Sequence, residues 1–138
     1  MYLTWAGDVY NDARKVVNEM IIRPATQKDV EQWYGSRPLF GLRALVAELD
    51  GAVIAIAGVY RSGDNYVAVC GSTPEMRRRK RDVIAMIAES KKLFRHYPFV
   101  LAFQSEEEPT AESFLRHVGF SRVGRAPLGG LHIWATKH

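Results

Sequence analysis

The sequence predicts a single α/β domain, an α+β mixed sheet that is mostly antiparallel with helices on both faces. Three observations predict it. An apolar hairpin is centred on Asp50-Gly51, and helix-patterned segments alternate with short strands after it. A chain of 138 residues, 47% apolar, can also bury one sizeable core. Strands joined by tight turns, with helices interposed later, put helices on both faces of one sheet.

The elements follow in order. Asp8 is an N-cap for Val9, Ala13, Val16, Val17 and Met20 at helical spacing, predicting a helix over 9–19. Met20 to Thr26 reads as a short strand leading to a loop, and Thr26 or Gln27 opens a brief helix through Trp33. Gly35 to Gly41 breaks regular structure. Ala44–Leu49 and Ala52–Tyr60 form the hairpin, Ser62–Asn65 turns again, and Tyr66–Cys70 is a third strand. Asp82 to Phe94 is helical, with Val83, Met86, Ile87 and Phe94 on one face. Phe99–Phe103 is a strand, and Glu108-Pro109 starts a helix that Gly119 ends. Phe120–Val123 and Leu131–Thr136 close the chain as strands.

Composition narrows the function classes. One cysteine, Cys70, excludes an internal disulfide and agrees with a reducing compartment. The longest apolar run, Ala52 to Tyr60, is too short for a bilayer, and no secretion-signal pattern opens the sequence. A soluble cytoplasmic protein with no membrane partner is expected. The net charge is +4, but residues 75–96 alone carry eight Lys or Arg against three acids, a net of +5. Such a cluster suits a polyanion (nucleic acid, cofactor phosphates or an acidic protein), and equally a solvated helix face. His96, His117, His132 and His138 lack metal-ligand spacing, so no metal site is expected. Trp5, Trp33 and Trp134 are irregularly spaced and read as packing residues.

Several local sequences resemble the GNAT acyltransferases. Ile22-Arg23-Pro24-Ala25-Thr26 with Asp29 is similar to the family's opening I-R-x-A-x-x-x-D. Pro74-Glu75-Met76-Arg77 resembles the P-E-Y-R before its glycine-rich loop, and Ala111 to Phe120 resembles A-x-x-F-Y-x-K-x-G-F. The likeness runs from about residue 20 to 136. It implies an N-terminal extension over 1–19 before a GNAT-like domain over 20–138. A looser likeness is to small GNAT-like phage proteins, including internal virion proteins, which would place the chain in a virion or an infected host's cytoplasm.

The resemblance implies an acetyl-CoA-dependent transfer to an unknown amine acceptor. Val69, Cys70 and Gly71 would line the strand that pairs with the pantetheine arm. Arg77, Arg78, Arg79, Lys80 and Arg81 would stand where the family's glycine-rich loop binds pyrophosphate. Two expectations compete there. Guanidinium groups could replace the glycine cradle, since Arg pairs bidentately with phosphate. Alternatively Thr73 caps one uninterrupted helix from Pro74 to Phe94, with Met76, Val83, Ile87 and Phe94 on one stripe.

The family's usual catalytic tyrosine falls at Leu115, which its spacing assigns to the core with Ala111, Phe114 and Val118. Glu108, at the end of Glu106–Glu108, is a candidate base or a solvated helix cap. Cys70 reads as a buried core or lining residue rather than a nucleophile, and His117 as exposed. Three function classes stay open: an N-acyltransferase with a remodelled loop, a catalytically inactive GNAT-fold phage structural or host-interaction protein, and a nucleic-acid-binding module using Arg77–Arg81. Oligomeric state is not legible.

Overall fold

The computed structural model describes residues 19–35, 41–105, 110–125 and 131–137. The helix expected over 9–19, the start of the helix at Glu108-Pro109 and the chain end lie outside these residues. Seven strands form one sheet in the order β1-β2-β3-β4-β5-β7-β6. They are β1 (Ile21–Pro24), β2 (Arg43–Leu49), β3 (Ala52–Ser62), β4 (Asn65–Ser72), β5 (Phe99–Ser105), β6 (Ser121–Arg125) and β7 (Leu131–Lys137). The helices are α1 (Gln27–Tyr34), α2 (Pro74–Arg78), α3 (Lys80–Phe94) and α4 (Thr110–Val118). Every neighbouring pair of strands is antiparallel except β4 with β5.

Asp50-Gly51 turns the β2–β3 hairpin with both residues at positive φ, 52° and 83°, as a type I′ turn requires. α1 is held by a reciprocal cap. The Asp29 backbone N–H donates to Thr26 Oγ1 (3.2 Å), and Thr26 N–H donates to Asp29 Oδ2 (2.8 Å). Arg23 clamps the same carboxylate from β1 with Nη1 and Nη2 (2.6 and 3.1 Å), and its Nε donates to Glu48 Oε1 on β2 (2.8 Å). One arginine therefore ties two strands to the helix start.

The core lies on both faces of the sheet. On one face, Phe94 from α3 and Leu115 and Val118 from α4 pack with Val100, Ala102 and Trp134. Met76 from α2 and Met86 from α3 continue that layer over Ala47, Ala55 and Ala57. Val30 and Trp33 from α1 cover Val46 and Ile56 on the other face. Val83 and Ile87 pack against the core beside the fully buried Phe94, as the helical stripe predicts.

The uninterrupted helix from Pro74 to Phe94 is not observed. Thr73 does cap α2, accepting from Met76 N–H at 3.3 Å. The backbone then leaves helical geometry at Arg79 (φ −99°, ψ 76°) before α3 starts. Like charges stand at i, i+3 and i, i+4 throughout Arg77–Arg81, which opposes a continuous helix. Breaking it leaves Arg79 at the head of α3, where its Nε pairs with Asp82 Oδ2.

Candidate cofactor cleft

The site begins with one register fact. β4 and β5 run parallel and meet in register at Val67↔Leu101. β4 continues to Ser72 and β5 to Ser105, so the strands open toward their carboxyl ends, the end at which ligands enter open α/β sheets. Val69, Cys70 and Gly71 lie on the opened part of β4. Their pairing to β3 stays regular, with Cys70 opposite Ala57 and Gly71 opposite Ile56, while their β5 side lacks a strand register partner.

Cys70 corrects the expectation of a buried strand position, because its side chain is exposed. The strand opening removes the neighbour that would have covered it. Protein still surrounds the thiol closely enough that desolvation pushes its pKa up to about 12. Desolvation favours the neutral thiol over the thiolate. It also makes Cys70 a poor nucleophile, since the thiolate is the reactive form.

Gly71 has a packing role. A Cβ there would sit 2.9 Å from Trp33 Cζ2 and 3.1 Å from its Nε1, so the indole needs a glycine beneath it. This contact pins the end of α1 on β4 and brings Tyr34 to the cleft. The Tyr34 phenol is pushed up from its ordinary pKa, first by burial and then by Cys70 and Tyr60 nearby. Tyr34 and Tyr60 did not emerge from the sequence as site residues. The signal for them is three-dimensional: a glycine contact across the sheet for Tyr34 and strand register for Tyr60.

The cationic run stands just beyond the same strand end. Arg77 Nη1 donates to Ser72 O (2.8 Å) and to Ser72 Oγ (3.1 Å), at the last residue of β4. Arg77, Arg78, Lys80 and Arg81 are exposed, while Arg79 is half-buried. α3 starts with no side-chain cap on its first N–H groups. Open N–H groups, the positive end of a 15-residue helix dipole and a cluster of guanidiniums form an anion-attracting locus.

The remaining candidates fall elsewhere. Leu115 is 5% exposed within the core, as its spacing predicts, so no phenol occupies that point. Glu108 lies outside the described residues. His117 is exposed and hydrogen-bonds the Ser113 carbonyl through Nδ1 at 2.7 Å. Trp134 is fully buried, donates to Gln104 Oε1 (2.8 Å) and lies under the Arg116 guanidinium, 5.0 Å from its ring centroid. No cluster of potential metal ligands occurs among the described residues. No helix there is long and apolar enough to cross a membrane. A depression of about 220 Å³ at the start of α1, lined by Thr26, Val30 and Leu42 among others, has no titratable lining group.

No protein-family model and no curated protein sequence matches this chain. Solved structures do. The GNAT domain of S. lividans PAT superposes with a TM-score of 0.66 at 13% identity, covering 85% of this chain and 89% of that one. A SpeG spermidine N-acetyltransferase variant from Vibrio cholerae gives 0.64 at 11% identity, covering 86% and 93%. AAC(6')-Ib in complex with ribostamycin and coenzyme A gives 0.61 at 15% identity, covering 88% and 94%. The chain therefore has the fold of the GNAT N-acetyltransferases.

Proposed function

We propose that the chain is an acetyl-CoA-dependent N-acyltransferase whose glycine-free loop holds cofactor phosphates with cations. The supporting observation is the helix break at Arg79. It gives α3 an N-terminus with no side-chain cap, one short helix after the end of β4, where β4 has parted from β5. The residues present fit CoA in two respects. Phosphates suit the uncapped N–H groups together with Arg77, Arg78, Lys80 and Arg81. An extended arm suits the β5-facing edge of β4 at Val69, Cys70 and Gly71.

Acetyl-CoA would supply the thioester. The protein's part is to hold it against the strand edge and to exclude water while an amine approaches. In the transfer an N–C bond forms and the C–S bond breaks. The nitrogen loses a proton and the sulfur gains one. With Leu115 buried at the family's tyrosine position, rate enhancement rests on positioning, which alone can supply several orders of magnitude.

A second reading, a catalytically inactive GNAT-fold binding protein, is favoured by that same Leu115. Losing a general acid typically costs about 10²- to 10⁴-fold. Thiol release from acetyl-CoA, followed with a panel of amines, separates the two. Release that requires both protein and amine supports the transferase. CoA binding without release for any amine supports the inactive binder.

A further inference from the structure

We infer that the acceptor is an amine carried on an aromatic or apolar body, seated on Tyr34, Tyr60 and Phe103 at the mouth of the β4–β5 opening. The inference rests on the acyltransferase reading and names the substrate class for that site.

Sheet alternation supplies the first argument. Tyr60 stands opposite Val67, Val67 is in register with Leu101, and Phe103 follows two residues later. Their intervening neighbours Ala68, Val100 and Ala102 pack into the core beneath α3 and α4. Tyr60, Val69, Leu101 and Phe103 therefore face the side on which α1 lies. α1 covers that side as far as Gly71, where Trp33 rests. Beyond it two large apolar rings are exposed: Phe103 is 48% and Tyr34 is 42% exposed. Exposed aromatic rings on both sides of a strand opening give a stacking surface continuous with the candidate cofactor cleft.

Charge supplies the second. Strands β3, β4, β5 and β7 contain no carboxylate. Among the described residues, the titratable groups that act on Tyr34 are Cys70 and Tyr60. Burial pushes both the Tyr34 phenol and the Cys70 thiol up from their ordinary values, so neither supplies a negative charge there. The next feature along β4 is the Arg77–Arg81 cluster, in a chain of net charge +4. Among the described residues a polycation would meet these cations with no carboxylate on the neighbouring strands, whereas a singly charged amine on an aromatic body gains ring contacts and cation–π attraction.

The test titrates tryptamine and spermidine into CoA-saturated protein at one ionic strength. Tryptamine is expected to bind at least about tenfold more tightly. Phe103→Ala and Tyr34→Ala should each weaken it by about five- to tenfold, and Tyr34→Phe, which keeps the ring, should stay within about twofold. CoA affinity of each variant reports that it is folded. Spermidine binding as tightly as tryptamine, or neither amine binding the CoA-loaded protein, overturns the inference. So does a loss on replacing Glu106, Glu107 and Glu108 by Gln while the ring variants bind normally. The titration with CoA alone is separate: no CoA binding by the wild-type chain refutes the transferase reading, and the acceptor inference falls with it.

Discussion

Two groups of charges in this molecule behave in opposite ways. At the start of α1, Arg23 pairs with both Asp29 and Glu48 through hydrogen bonds of 2.6–3.1 Å, with the Asp29 side chain only 10% exposed. At the α2–α3 junction, Arg78, Lys80 and Arg81 are exposed, and no described carboxylate pairs with them. The first group is spent on the fold, because each Arg23 guanidinium nitrogen already donates to an acceptor. The second keeps its donors available. Charges serving structure are paired and shielded, whereas exposed charges without a carboxylate partner remain available to a ligand.

The largest expected effect breaks the open group. Replacing Arg78, Lys80 and Arg81 together by Glu should lower acetyl-CoA affinity by roughly 100-fold or more, since each charge-assisted contact to phosphate typically contributes over 1 kcal/mol. Its thermal stability should hardly move, because these side chains make no described ion pair. Calorimetric affinity and a melting curve check both halves. Equal affinity in wild type and variant would remove the junction from the cofactor site.

The closed group should show the reverse. Asp29→Ala should cost about 1–2 kcal/mol of stability through the lost cap and the stranded Arg23, read by urea unfolding. CoA affinity should stay level. Arg23, opposed in part by burial, holds the Asp29 carboxyl well below the usual carboxylate range. Its contribution is therefore fully present above the unfolded-state value of about 4 and fades as pH falls below it. Asp29→Asn should flatten that part of the acid-side stability profile. An unchanged profile would assign the acid sensitivity to other groups.

Gly71→Ala sharpens the boundary between packing and binding. The added methyl meets the Trp33 ring at 2.9 Å, so the ring must shift at a cost of about 1 kcal/mol or somewhat more. Since the ring sits on the face opposite the α3 junction, stability should fall more than CoA affinity does. The smallest expected effect is chemical. Cys70 is exposed, yet its thiol is pushed up to about 12. It should alkylate far more slowly with iodoacetamide at pH 8 than a free thiol of ordinary pKa. Ordinary reactivity would mean that the thiol is not desolvated.

Much of this was legible in the sequence, for identifiable reasons. Asp50-Gly51, the Thr26–Asp29 cap and the α3 stripe are local patterns, and local chemistry fixes them. The opening motif with Arg23 and Asp29 acquires its physical meaning in a bidentate ion pair across six residues. Leu115 was readable as core because its periodicity is intrahelical. The two expectations at Arg77–Arg81 were a cationic replacement for the glycine cradle and one uninterrupted helix; the break at Arg79 rules out the second, and its position was not legible. Cys70 was misjudged, since burial on β4 depends on where β5 departs, a non-local fact. Tyr34 and Tyr60 left no sequence signal, Tyr34 being placed by the Trp33–Gly71 contact and Tyr60 by the β3–β4 register.

The measurement that most directly tests whether the open cations hold a cofactor is calorimetric titration of the wild-type chain with acetyl-CoA and CoA. It is run at two salt concentrations, with a short DNA duplex as the charge control. Micromolar, CoA-selective binding that weakens only modestly with salt is predicted. No binding, or weak binding to CoA and DNA alike that vanishes with salt, would contradict it.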